Sequence, residues 1–168
     1  MRVELSDLDS PALVVLLNEH VAELRTVSPP ESSHALDLDG LRHPAVTCWS
    51  VLDGVELLSC GALKQLDGTH AEIKSMRTAT AHQGRGAATL VLRHLITEAA
   101  DRGVTRLSLE TGSMAFFAPA RRLYERHGFV YCGPFGDYRA DPHSVFMTAQ
   151  PANAATTWSE VNGVENIG

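Results

Sequence analysis

Two Asp-Gly pairs, Asp53-Gly54 and Asp67-Gly68, each close a run rich in apolar and β-branched residues, "AVTCWSVLDG" and "VELLSCGALKQLDG". Asp-Gly between such runs is a hairpin signal, because tight hairpin turns need residues that tolerate positive φ. A third run, "THAEIKSMRT" over 69–78, follows directly. Three consecutive antiparallel strands are therefore expected, and they lead into "HQGRGAATL" at 82–90. Here two glycines flank an arginine and two alanines follow before any bulky side chain. The period then changes. Leu92, Leu95, Ile96 and Ala99 recur at i, i+3, i+4 and i+7, the apolar face of a helix expected over about 84–102 and closed by Gly103.

Small residues between a strand and a helix let a ligand approach the first-turn N–H groups, which have no partner inside the helix. Those groups and the helix dipole favour a phosphate. The plainer reading is a glycine-rich turn that only reverses the chain. Two familiar phosphate loops fit poorly. A P-loop needs Gly-Lys-Ser/Thr, which is absent. A dinucleotide loop read as Gly84-Arg85-Gly86-Ala87-Ala88-Thr89 lacks its third small residue and belongs after the first strand of a parallel sheet. Glu110, at the end of the next strand, is the one feature that keeps a dinucleotide-binding oxidoreductase open.

Flanking segments complete one domain over 1–150. "RVELSDL" is a possible first strand, and Ser10-Pro11 opens a helix over about 11–27. "SPPE" at 28–31 breaks the chain, and a short helix or turn precedes Pro44. After the glycine loop come the strand "VTRLSLE" (104–110), a helix opened by Pro119 and stopped by Gly128, and two strands, "FVYCG" and "HSVFMT", joined by "PFGDYRADP". Residues 151–168 show little periodicity and are expected to be a loosely held tail.

Composition narrows the classes. The chain has 168 residues, 44% hydrophobic and 20% charged, enough for one core. No apolar run approaches the roughly 20 residues of a membrane-spanning helix, and "MRVELSDLDS" is no secretory signal. A soluble, cytoplasmic protein with no membrane partner is expected. Cys48, Cys60 and Cys132 are scattered and form no metal-binding pair, so they read as buried thiols and no metal is expected. A net charge of -6 argues against nucleic acid as a partner. Residues 74–126, however, hold 9 basic against 4 acidic side chains, whereas residues 1–73 hold 4 against 12. A small polyanionic ligand is compatible with that reversal.

The glycine loop resembles the pyrophosphate loop of the GNAT superfamily of acyl-CoA N-acyltransferases, Arg/Gln-x-x-Gly-x-Gly/Ala, matched by Gln83, Gly86 and Ala88. "RRLYERHGF" is similar to the family's Leu-Tyr-x-x-x-Gly-Phe. The surrounding strand order agrees over about 45–150, and the chain looks like a branch of small bacterial acetyltransferases with unassigned acceptors. The resemblance implies an α+β, three-layer fold with a mixed, mostly antiparallel sheet of about seven strands and about four helices. It implies acetyl-CoA as co-substrate and an amine on a small molecule, amino acid or peptide N-terminus as acceptor. A homodimer is a family expectation only. A CoA-binding module without catalysis is the alternative on the same fold.

By position, the resemblance assigns the CoA pyrophosphate to backbone N–H groups of Gln83, Gly84, Arg85, Gly86, Ala87 and Ala88. It assigns the pantetheine arm to the main chain of Met76, Arg77 and Thr78, with the Met76 amide facing the thioester carbonyl. Tyr124 matches the tyrosine that reprotonates the CoA sulfur. Glu72, 11 residues before Gln83, stands at the spacing of the base in histone-type members; the other reading is an exposed strand glutamate paired with Lys74. Alternation places Glu72, Lys74, Met76 and Thr78 on one face. Phe117 stands where many members carry Asn. Glu110 and Thr111 end a strand beside the expected acyl site. Asp137, Tyr138, Arg139 and Asp141 lie in a turn that in this fold can close over the acceptor.

Overall fold

The structure, a computed structural model, describes residues 1–161. Seven strands form one mixed sheet: β1 (Arg2–Leu5), β2 (Val46–Asp53), β3 (Glu56–Gln65), β4 (His70–Thr78), β5 (Arg106–Gly112), β6 (Val130–Cys132) and β7 (Ser144–Ala149). Their order across the sheet is β1-β2-β3-β4-β5-β7-β6, and only β4 and β5 pair in parallel. Helices α1 (Pro11–Val27) and α2 (Leu38–Leu41) cover one face; α3 (Ala87–Asp101), α4 (Ala118–Arg126) and α5 (Pro151–Val161) complete the set.

The apolar periodicities find their partners on both faces. Leu13, Leu16 and Leu17 of α1 pack on Cys48, Cys60 and Ala62. Val91, Leu92, Leu95 and Ile96 of α3 pack on Trp49, Val51, Ile73 and Leu107 across the sheet's other side. Both expected hairpins form, by different means. Gly54, with φ +61°, and Val55 make a two-residue loop between Asp53 and Glu56. The second turn is held instead by the Asp67 carboxylate, which accepts from the N–H groups of Thr69 and His70, each at 2.8 Å.

One irregularity was not readable. Cys60 pairs with Arg77 and Ala62 with Lys74, so Gly61 alone faces both Ser75 and Met76. Ser75 takes up the extra residue at φ +53°, the one non-glycine residue with positive φ among the described residues. This bulge inverts the alternation. Met76 turns to the α3 side, where its Sδ would sit 2.8 Å from a Cβ placed on Gly61. The expectation that Met76 shares a face with Glu72 and Lys74 is therefore corrected, and by alternation Thr78 moves with Met76.

The segment from Pro151, expected to be loosely held, forms α5 over Pro151–Val161. Pro151 is buried at the helix start, and Ala154, 3% exposed, joins the core beside Gly128. The remainder of the expected tail, 162–168, lies outside the described residues. Cys48 and Cys60 are buried, but Cys132 is only half-buried on β6, so the expectation of three buried thiols holds for two. No described helix is long and apolar enough to cross a membrane.

Candidate active site

The site begins where the parallel pair parts. β4 and β5 are joined only from His70–Ile73 to Arg106–Leu109. Beyond this, β5 stays paired with β7 to Gly112, and β4 with β3 to Thr78. A wedge opens between them, leaving the main chain of 74–78 without a β5 partner.

On one side the wedge widens into a groove of about 800 Å³. Met76, Arg77 and Thr78 form one wall, and the loop from Gln83 to Ala88 forms another, Arg85 excepted. The loop's conformation depends on its glycines: Gly84 and Gly86 have φ +79° and +85°, and a Cβ on either would meet no protein atom within 4 Å. Bulk is excluded here by the backbone and by whatever fills the groove. Gly86 is the N-cap of α3, and neither a capping side chain nor an acidic first-turn residue satisfies that helix end. The helical ladder starts with Leu90 N–H donating to Gly86 O, so the amides of Ala87, Ala88 and Thr89 have no helical acceptor.

Arg85 points elsewhere. Its guanidinium lies 2.7 Å from Asp53 and 3.7 Å from Glu56 at the β2–β3 turn, bracing the loop from behind. His82 joins that brace, 3.2 Å from Glu56, and also lines the groove. Arg77 likewise turns its charge onto Glu23 of α1. Of the basic stretch, Arg126 lines the groove, whereas Arg121 donates to the Gly112 and Met114 carbonyls at 2.6 and 3.0 Å. Most of that positive charge is structural.

On the other side lies a smaller cavity of about 130 Å³, open to the surface, into which Glu72, Lys74 and Glu110 project. Glu72, 3% exposed, is engaged: the Tyr138 hydroxyl donates to its Oε1 at 2.5 Å, and Lys74 Nζ donates to the same oxygen at 3.2 Å and to Tyr138 at 2.8 Å. The pairing with Lys74 follows one of the two sequence readings, but at a buried site. Tyr138 reaches in from the β6–β7 turn, stacked edge-on against Phe135 and His34. The same turn is latched to the α1–α2 segment by Ser32 Oγ, which donates to Asp141 at 2.5 Å. Asp137 and Arg139 remain exposed. Sequence position alone did not separate these four residues; the aromatic partners Phe135 and Phe146 decide it.

Electrostatics single out Glu110. Burial pushes its carboxyl up to about 7, with Glu72 and Asp141 adding to the rise and Ser144 and Lys74 opposing it. Tyr124, 6% exposed, is also raised above the usual phenol range, by burial first and then by the charge of Glu110. His20 is held neutral, at about 4, by burial and then by Arg77.

Groove and cavity meet at a throat. His20, Leu24, Met76, Phe117, Ala120 and Tyr124 line both spaces. Phe117 is fixed there by Gly112: a Cβ on that glycine would lie 2.0 Å from the Phe117 ring. Gly112→Ala should therefore displace Phe117 and cost about 1–3 kcal/mol of stability, measured by urea denaturation. An unchanged midpoint would show that the ring is not held by this contact. Sequence reasoning missed His20 as part of the throat, because one polar residue in an amphipathic helix carries no signal of what the helix faces.

The dinucleotide alternative is set aside by topology, since the loop follows three antiparallel strands. Among the described residues, no group of three or more His, Cys, Asp or Glu side chains is placed to hold a metal ion.

The comparisons with known proteins agree with this architecture. The model of the acetyltransferase (GNAT) family matches residues 13–129. The uncharacterized N-acetyltransferase YsnE of Bacillus subtilis (strain 168) is 57% identical over 148 residues, covering 88% of this chain and 98% of the relative. The uncharacterized N-acetyltransferase YedL of Escherichia coli (strain K12) is 51% identical over 146 residues, covering 87% and 92%. A crystal structure described as an acyl-CoA N-acyltransferase of Klebsiella pneumoniae subsp. pneumoniae MGH 78578 superposes with a TM-score of 0.75 at 25% identity, covering 89% and 96%. The chain belongs to the acetyltransferase (GNAT) family. It is an enzyme of the acyltransferase class, on a fold that binds acetyl-CoA.

Proposed function

We propose that the protein moves the acetyl group of acetyl-CoA directly to a primary amine of a small molecule, an amino acid or a peptide N-terminus. The throat carries this reading: one passage, bordered by Tyr124 and Met76, joins a groove suited to a long donor with a cavity suited to a small acceptor. The residues present fit the donor. An uncapped helix end with two positive-φ glycines suits a pyrophosphate, and the unpaired edge of β4 suits an extended arm that pairs as a strand would.

In this reading the amides from Gln83 to Ala88 hold the pyrophosphate, with Arg85 contributing its backbone while its side chain braces the loop. Met76, Arg77 and Thr78 hold the pantetheine arm. Bound acetyl-CoA supplies an activated acetyl thioester. The Met76 amide faces the carbonyl oxygen on which charge develops. Glu110 takes the proton of the acceptor, because a carboxyl near 7 is half ionised at neutral pH and matched to that task. Glu72, the base expected from spacing, lines the same cavity with its carboxylate tied to Lys74 and Tyr138; we assign it to holding the ammonium end. Tyr124 keeps its proton at neutral pH and delivers it to the departing sulfur, whose thiolate would otherwise be stranded in a buried throat.

The reaction is tested by incubating the protein with acetyl-CoA and a panel of amines and treating the product with neutral hydroxylamine. An amide survives and an ester is cleaved; a hydroxylamine-labile product would contradict transfer to nitrogen. The donor site has its own test. Gly86→Val forces a branched side chain to φ +85°, at a cost of about 1–3 kcal/mol, and fills the space over the helix end. The variant should still unfold cooperatively yet lose the thermal stabilisation that acetyl-CoA confers. An undiminished shift would remove the loop from the pyrophosphate role.

A further inference from the structure

The charges of the smaller cavity bear on which amines enter it. Among its described lining residues Lys74 is the one lysine or arginine, and it is already committed to Glu72 and Tyr138. Against it stand two lining carboxylates, Glu72 and Glu110. The next carboxylate outward, Asp141, is bonded to Ser32. His20 supplies no charge, being held neutral beside Arg77, whose own charge is spent on Glu23. With Glu110 ionised the cavity carries one uncompensated negative charge, the complement of an ammonium group. Among its described lining residues it has no free lysine or arginine for an acid group on the same molecule. The rest of the polar lining is rich in hydroxyls and imidazoles: Ser28, Ser33 and Thr111 border the space beside the His34 and His143 rings. In size, about 130 Å³ compares with the cavity of about 150 Å³ that holds a benzene, so about six non-hydrogen atoms fit.

We infer that the acceptor is a small primary amine that bears hydroxyl groups and no carboxylate, of the amino-alcohol type. This rests on the proposed transfer to an amine and narrows its acceptor. Binding of the ammonium stabilises the ionised Glu110, whereas a carboxylate brought in with it would face Glu110 and Glu72 at short range. The same carboxylate would favour the protonated form of Glu110 and so disable proton removal. An α-amino acid is therefore rejected twice, in binding and in reaction.

The test uses matched pairs that differ in the acid group and hardly in amine basicity: alaninol against alanine, and 2-amino-1,3-propanediol against serine, within a panel that also holds glucosamine, simple alkylamines and diamines. With the full chain and acetyl-CoA, kcat/KM is expected to favour the alcohol by at least about tenfold in each pair. Glu72→Gln, which releases Lys74, should shift the acid-to-alcohol ratio towards the acid whatever it does to the overall rate. Equal or better use of the amino acids by the unaltered protein overturns the inference, as does a ratio that Glu72→Gln leaves unmoved. Acetylation of alkylamines or diamines in preference to every hydroxylated amine overturns the hydroxyl part. If no amine in the panel releases thiol from acetyl-CoA, the proposed transfer itself fails and the inference falls with it, a result distinct from a wrong preference.

Discussion

Tyr124→Phe is expected to lower kcat by about 10²- to 10³-fold while leaving the Kd for acetyl-CoA within about threefold of the original. The split follows from what the substitution removes. The ring stays in place, packed edge-on against Phe129 at 5.8 Å in the core, so the throat keeps its shape and the donor groove is untouched. Only the hydroxyl is lost, and with it, in the proposed mechanism, the proton for the leaving sulfur. Its pKa, raised by burial and by Glu110, makes Tyr124 a reluctant acid towards bulk solvent, but a thiolate in the same enclosed throat pays a similar desolvation penalty, which restores the driving force for transfer. Stopped-flow or steady-state assays with isothermal titration of acetyl-CoA separate the two quantities. Equal turnover in the variant would remove Tyr124 from the chemistry.

Glu110→Gln is expected to lower kcat/KM by about 10²- to 10³-fold at pH 8 and to abolish the rise of activity through about pH 7. In the proposed mechanism the rise comes from ionisation of Glu110, whose surroundings are Lys74 and Glu72 on β4, Asp141 and Tyr138 on the β6–β7 turn, Ser144 on β7 and Tyr124 on α4. The sign for stability is opposite to that for activity. A carboxyl whose folded pKa is raised favours the native state most below its ordinary value of 4.5, and that contribution is lost as pH climbs through about 7. Glu110→Gln should therefore flatten the decline in stability over that interval. Glu72→Gln, by contrast, should keep the activity limb. A pH–rate profile that keeps its limb in Glu110→Gln and loses it in Glu72→Gln would return the base to Glu72.

Much of the fold is legible in the sequence because it rests on local signals. The β-branched runs punctuated by two Asp-Gly pairs announce β2, β3 and β4, and the change of period after Gly86 announces α3. The helix opened by Pro119 and ended at Gly128 appears as read, with Leu123, Tyr124 and His127 buried on its inner side. What escapes is what depends on distant partners. Nothing in "AEIKSMRT" marks Ser75 as the residue that adopts φ +53°, yet that one residue decides which face Met76 occupies. Helix α5 is disguised by its composition: alanine forms helices well but shows no apolar periodicity, and Ala154 is buried by fitting against Gly128, not by bulk.

The site divides in the same way. That the glycine loop and Tyr124 line one groove is legible, because backbone geometry and a short motif fix their places. Glu110 is legible as a strand end beside the expected acyl site but not as a shifted carboxyl, since its shift depends on burial and on neighbours such as Asp141 and Ser144, more than 25 residues further along the chain. The Arg85 side chain is hidden for a related reason. Its charge is claimed by Asp53 and Glu56 at a hairpin turn about 30 residues earlier, which nothing in the loop's own sequence marks.

The proposed direct transfer through one throat puts both substrates on the protein together, with no acetylated protein in between. Mixing the protein at substrate-level concentration with acetyl-CoA alone, and following free thiol in the first turnover, tests this directly. Direct transfer predicts no thiol burst until the amine is added, and intersecting double-reciprocal lines in the steady state. A stoichiometric burst without amine, with parallel lines, would contradict it.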